Sequence, residues 1–164
     1  MPARNGSKKA STGRSGGKTT SKRSGKLVAD VMTSDPITMI ESETVVAAAK
    51  AMRDNDIGDV IVLDDTSARC KGIATDRDMV VRCVAEELEP SRTTLASVCT
   101  TDIVTVSPDD PVDKAVEAMR KMKVRRLPVC EGDQPVGIVS MGDLAMEMDK
   151  RSALAEVSAA PANN

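Results

Sequence analysis

Histidine, tryptophan, tyrosine and phenylalanine are all absent from the 164 residues. Without imidazole there is no general base for a triad hydrolase and no His ligand for a zincin-type metal site. Without aromatics there is no base-stacking platform of the RNP type. A core must therefore be packed from Val, Ile, Leu, Ala and the ten Met. Apolar residues make up 40% of the chain, enough for one compact domain or two small repeated lobes. The four cysteines, Cys70, Cys83, Cys99 and Cys130, form no C-x-x-C pair. They read as small buried hydrophobes in a reducing cytosol, and no metal is expected. Long apolar runs are missing too: none approaches the ~18 residues of a membrane span. The N-terminus lacks the apolar stretch of a secretory signal. The expectation is a soluble, cytoplasmic protein.

Charge is unevenly spread. The net value is −2, yet residues 1–26 hold eight Lys or Arg and no acid, which leaves 15 basic against 25 acidic residues in the rest. That first segment is mostly Ser, Gly, Thr and Lys. It cannot bury enough apolar surface to offset its chain entropy, so it reads as a disordered basic tail. Its possible roles are a weak, salt-sensitive arm for nucleic acid or another polyanion, a solubilising extension, or a cover for the acidic body. Within it, "GRSGGKT" (Gly13 to Thr19) suggests a P-loop. The motif requires a Gly where Thr12 stands, with a strand before and a helix after, and all three are missing.

What the body does have is the same text twice. Shifted by 67, Ala29 to Asp64 matches itself without a gap: Val31 falls on Val98, Thr38 on Thr105, and Ala51-Met52-Arg53 on Ala118-Met119-Arg120. After a loop shorter by two, the match resumes at 65, with Gly72-Ile73 on Gly137-Ile138, Thr75 on Ser140 and Asp78 on Asp143. Each copy predicts a strand ("PITMI", "IVTVS"), then a helix with its apolar face at Val45, Ala48, Ala49, Met52 or Val112, Ala115, Val116, Met119. Asp110 is expected to cap the second of these helices, with Pro111 at its first position. Two apolar strands follow ("VIVL" then "KGIAT"; "LPVC" then "PVGIVS"), and a last helix. Pro128 predicts a free edge on its strand. "LVADVMT" and "LASVCT" read as short helical leads, and residues 152–164 as a C-terminal tail. The unit is β-α-β-β-α, present twice, at 27–93 and 94–151.

This repeat, with "DVMT" at its start and "GI-x-[ST]-x-x-D" at its end, resembles the CBS domain, whose tandem pair forms a Bateman module. The resemblance covers nearly all of residues 27–151. The chain is similar to small bacterial proteins made of little besides two such repeats, including actinobacterial hypoxic response proteins. It implies an α/β fold of two repeats packed with pseudo-twofold symmetry and two clefts between them. It also implies a regulatory, non-enzymatic role, a homodimer, and AMP, ADP, ATP or S-adenosylmethionine as ligand, with no required cofactor.

An adenine nucleotide needs cations or amides for its phosphates, an acceptor for its ribose and apolar walls for its base. Thr75 and Ser140, at strand ends, can offer hydroxyls and the amides that follow them, with Asp76 beside Thr75. The resemblance places the ribose-binding acid at Asp78 and Asp143, and phosphate-binding basic residues at Arg125 and Arg126. Ile37, Val60, Ile61, Val104, Leu127 and Pro128 would form the walls. In the first copy Gly58-Asp59 replaces the arginines, so phosphate-rich ligands are expected to favour the arginine-lined cleft. A second reading of Thr-x-x-Asp needs no ligand: it is a capping box with an acid in the first helical turn. Two functions therefore stand. One is a regulatory sensor of an adenosine-containing ligand. The other is a ligand-free dimeric stress or interaction protein, tethered to nucleic acid by its basic tail.

Overall fold

A computed structural model describes residues 25–148. The expected tails, apart from Gly25 and Lys26, lie outside that range. The chain enters through a 3-10 turn at Val28–Asp30 and a two-residue strand, β1 (Thr33–Ser34). The first copy continues with β2 (Thr38–Ile40), α1 (Val45–Asn55), β3 (Asp59–Leu63), β4 (Cys70–Thr75) and α2 (Asp76–Met79), which runs on as a π-helical turn over Val80–Val84. The second opens with α3 (Leu95–Val98), then α4 (Val112–Met122), β5 (Arg126–Glu131), β6 (Gln134–Ser140) and α5 (Met141–Met148).

The helical spacing works as its period requires. Val45, Ala48 and Met52 form the buried stripe of α1, and Val112, Ala115 and Met119 that of α4. Thr44 caps α1 by accepting the Ala47 N–H at 3.2 Å. The cap expected at Asp110 is displaced by one residue. Pro111 holds the cap position with extended backbone and no side-chain bond, and the helix starts at Val112. The Asp110 carboxylate instead accepts from the Ser107 N–H and from Lys114, each at 2.8 Å.

β2, β3 and β4 form one sheet, with β2 parallel and β4 antiparallel to β3. The strand expected over "IVTVS" is reduced to a single parallel bridge between Val106 and Val129. Two prolines are the cause: Pro108 stands where the Glu41 N–H donates to the Leu63 carbonyl in the first copy, and Pro128 removes the rung at the other end. In the first copy the Ile61 N–H donates to the Ile37 carbonyl at 3.0 Å. Pro128 stands at the equivalent place and has no N–H, so the rung to Val104 is lost. The free edge expected at Pro128 is present only in part: β5 is the last strand of the sheet β1-β6-β5, but the Val106 N–H donates to the Pro128 carbonyl at 3.1 Å and the Val106 carbonyl accepts the Cys130 N–H at 2.8 Å.

The position of β1 reveals how the halves are joined. It belongs to the first copy by sequence but pairs with β6 of the second, Thr33 opposite Ile138. Reciprocally, the Ile73 and Thr100 backbones exchange hydrogen bonds of 3.0 and 2.9 Å. The side chains follow. Leu95, Val98 and Cys99 complete the first core around Val60, Val62 and Ala74. Val28, with no exposed surface, completes the second around Leu127, Val129 and Val139. Each copy sends its leading segment into the other.

That crossing explains one glycine in each copy. A β-carbon on Gly72 would lie 2.5 Å from the Thr100 carbonyl oxygen, against backbone that cannot retreat. On Gly137 the nearest atoms would be the Met32 thioether sulfur at 2.5 Å and the Thr33 carbonyl at 3.0 Å, and the thioether can swing aside. Gly72→Ala should therefore cost about 2–3 kcal/mol of unfolding free energy and Gly137→Ala less. Urea unfolding of the two variants checks the order; equal or inverted costs would contradict it.

Candidate functional site

β4 ends where the chain turns into α2, and that corner is made by Thr75 and Asp78. The Thr75 hydroxyl accepts the Asp78 N–H at 3.1 Å, while Asp78 Oδ2 accepts the Thr75 N–H at 3.0 Å and its hydroxyl at 2.7 Å. The second copy repeats the arrangement. Asp143 Oδ2 accepts from the Ser140 N–H and hydroxyl, both at 2.7 Å, and the Ser140 hydroxyl accepts the Asp143 N–H at 3.2 Å. Both capping boxes are complete.

Completion uses up donors that a phosphate would want. The Asp76 N–H donates to the Gly58 carbonyl at 3.0 Å and the Arg77 N–H to Asp76 Oδ1 at 2.7 Å. With the Asp78 N–H on Thr75, the first-turn amides of α2 are all engaged. Phosphate affinity at this corner must come from side chains.

Such side chains line a cavity of about 300 Å³ between the two copies. Thr75, Asp76 and Asp78 form one wall from the first copy. Val104, Arg125, Arg126, Leu127 and Pro128 come from the second. Eight of the thirteen expected site residues thus meet in one place. The arginines, grouped by sequence with the Ser140 and Asp143 cleft, face Thr75 and Asp78 across the repeats here. Ser140 and Asp143 line none of the three cavities described. Val60 and Ile61 are buried at 1% exposure, and Ile37 packs against the first core, so these three face protein.

The cavity also holds residues that the sequence reading passed over. Asp102 and Ile103 lie beside Val104, and Arg77 and Lys123 add two exposed cations. Lys123 ends α4 in the left-handed conformation, as Asp56 ends α1. The signal was in the repeat itself. "DIGD" at Asp56–Asp59 becomes "KVRR" at Lys123–Arg126, a change from two acids to three bases at matching positions.

Asp59 and Arg126 occupy equivalent places in the two copies, and they meet. Arg126 Nε lies 2.5 Å from Asp59 Oδ2. A β-carbon on Gly58 would sit 3.4 Å from Asp76 Oδ2 and 3.5 Å from Arg126 Nη2, so the guanidinium also stands near Asp76. Burial raises the Asp59 carboxyl above its ordinary range. Arg126 opposes that rise, and Asp76 and Asp143 add to it.

Comparison with known proteins identifies this arrangement. The CBS domain profile matches residues 28–84 and 95–150. The chain belongs to the CBS-domain family. It is 32% identical over 127 residues to the CBS domain-containing protein YhcV of Bacillus subtilis, covering 77% of this chain and 89% of that one. It is 32% identical over 130 residues to Hypoxic response protein 1 of Mycobacterium tuberculosis, covering 79% and 90%. Among solved structures it resembles Hypoxic Response Protein I with two coordinated zinc ions, at a TM-score of 0.66 and 32% identity over 73% of this chain and 97% of that one. It also resembles the CBS domain pair of protein MJ0100 in complex with 5′-methylthioadenosine and S-adenosyl-L-methionine, at a TM-score of 0.67 and 25% identity over 78% and 99%. The fold is thus the α/β CBS pair. Among the described residues no group of three or more Cys, Asp or Glu is placed to hold a metal ion, and no helix is long and apolar enough to cross a membrane.

The raised Asp59 carboxyl has a measurable consequence. It binds its proton more tightly folded than unfolded, so it favours folding at acid pH. That contribution is lost as pH rises from the ordinary carboxylate range through the raised value. Asp59→Asn should flatten this part of the stability curve and leave stability at neutral pH equal or higher. Chemical denaturation between about pH 4 and pH 7 checks it; a variant clearly less stable at neutral pH would contradict it.

Proposed function

We propose that this CBS pair is a regulatory, non-catalytic protein that senses an adenosine-containing ligand in the cavity between its repeats. The observation that supports this reading most is the division of labour across the cavity. The hydroxyl and carboxylate of Thr75 and Asp78 lie on one side, and the cations Lys123, Arg125 and Arg126 on the other. Asp78 Oδ2 is committed to the cap, while Oδ1, with Arg82 at 3.5 Å, can accept a ribose hydroxyl. The Val104 carbonyl, released by Pro128, can accept from an adenine amino group, while Ile73, Ile103 and Val104 offer aliphatic faces. Arg125, Lys123 and Arg77 suit phosphate by charge and exposure. MJ0100, whose CBS pair holds two adenosine derivatives, adds weight to the ligand class. The candidate ligands are AMP, ADP, ATP and S-adenosylmethionine. The repeats are proposed to span 27–93 and 94–151, in a cytoplasmic setting.

In this reading Asp59 competes with the ligand. Its carboxylate occupies the Arg126 guanidinium that a phosphate would otherwise take. Calorimetry with the four ligands tests the proposal. AMP should bind, Arg125→Ala should weaken it about tenfold or more, and Asp59→Asn should tighten it. Failure of every ligand at millimolar concentration would overturn the sensing role.

A second reading, a ligand-free dimeric stress or interaction protein, has its own support. The capping boxes are satisfied by themselves, and the hypoxic response protein among its relatives suggests a stress setting. Apolar grooves lie at matching places in the two copies, one beside Val80 and Val84, the other beside Met141, with these side chains 56–59% exposed. A second copy of this chain is the proposed occupant. Sedimentation equilibrium should show a dimer, and a monomer at micromolar concentration would remove it. Any hold on nucleic acid would come from residues 1–26.

A further inference from the structure

Far from the cavity, the other ends of the same two strands bring a pair of cysteines together. β4 runs from Cys70 to Thr75, and β5 runs from Arg126 to Glu131, so Thr75 and Arg126 lie at the cavity while Cys70 and Cys130 lie at the opposite end. The turn joining β5 to β6 fixes their approach. The Cys70 N–H donates to the Asp133 carbonyl at 2.9 Å, and Arg69 Nε lies 3.4 Å from the Asp133 carboxylate. From the other side, Cys130 pairs with Pro135 across the same turn. Both cysteines sit at a register shift, Cys70 opposite Leu63 and Cys130 beside Val129, where the pleat is broken and side chains are re-aimed.

The turn thus sets the start of β4 against the end of β5 that carries Cys130. The two thiols act on each other, which pushes Cys70 up and pulls Cys130 down. Cys130 is buried and Cys70 partly exposed, so the pair is open to solvent on one side only. The remaining cysteines are buried in the first core, with the Cys83 thiol donating to the Leu88 carbonyl at 3.7 Å.

We propose that Cys70 and Cys130 form a redox-responsive dithiol that closes, under peroxide, to a disulfide joining the first repeat to the second. The balance is simple. One thiol attacks the peroxide O–O bond, gaining an S–O bond as a sulfenic acid and releasing one water. The second sulfur then displaces the sulfenic oxygen, which leaves as a second water, and the S–S bond forms. The protein gives up two hydrogens and two electrons, and peroxide is reduced to two waters. The balance is the same whichever thiol reacts first. Cysteine pairs of this kind in reducing compartments are transient and sensing rather than structural. The bond would join β4 to β5 directly, fixing the far ends of the strands that carry Thr75 and Arg126. The inference does not depend on the ligand reading.

The test uses the full chain, reduced, freed of reductant and exposed to a small excess of hydrogen peroxide at neutral pH. It is then unfolded in iodoacetamide and weighed. The expected product is a single chain carrying two alkyl groups instead of four, with Cys70 joined to Cys130 in a non-reducing peptide map and the bond reversed by dithiothreitol. Cys70→Ser, a change at a partly exposed site, should fold and melt as the wild type does and lose the bond. Four alkyl groups after peroxide, a bond that includes Cys83 or Cys99, or a bond between two chains would overturn the proposal. So would the same loss of two thiols in Cys70→Ser.

Discussion

The Thr100 carbonyl lies where a side chain on Gly72 would begin. Everything else in the body depends on that close approach. It lets the Ile73 and Thr100 backbones pair, which carries Leu95, Val98 and Cys99 into the first core. The mirrored crossing at Ile138 and Thr33 carries Val28 into the second. Neither core is complete without a segment of the other copy. A small repeat that buries too little surface alone becomes half of one cooperative unit. The same crossing brings Thr100 and Asp102 alongside Ile73 and Thr75, which sets one wall of the cavity.

Equivalent positions have diverged where the copies meet. Asp59 and Arg126 are partners by the repeat and partners by their ion pair. Two aspartates there would repel each other, and so would two arginines. The opposite charges settle the contact and leave the cavity lopsided, with Lys123 and Arg125 on one side of it only. Pro128 adds a second asymmetry. The carbonyl of Ile37 is bonded by Ile61, while that of Val104, its counterpart, loses the matching donor. Both differences reach the same cavity, one through Arg126 and the other through Val104.

Much of this was legible in the residues. The spacing of Val112, Ala115 and Met119 placed α4 and its buried face, and Pro128 marked β5 as the last strand of its sheet, though Val106 still bridges its outer side. The repeat offset carried the rest of the fold, because a doubled text with matching periods has few ways to pack. The exchange of leading segments was not legible. An offset says that Thr33 and Thr100 are alike and says nothing about which copy each one pairs with. The Asp110 cap went astray because Pro111 satisfies the rule for the first helical position and the structure uses it one place earlier. Arg126 does stand opposite Ser140 in the β5–β6 ladder, as chain order suggests, but the cavity the arginines line is completed by Thr75 and Asp78 of the other copy. The change from "DIGD" to "KVRR" was present in the sequence, and only the meeting of Asp59 with Arg126 gave it a place.

The central claim is that one binding surface is shared by the two repeats. Hydrogen exchange read by mass spectrometry on the full chain, with and without AMP, addresses it most directly. The account predicts that AMP slows exchange together in residues 73–78 and 123–128, on opposite sides of one cavity. Slowing confined to one repeat, or centred on Ser140 and Asp143, would contradict it.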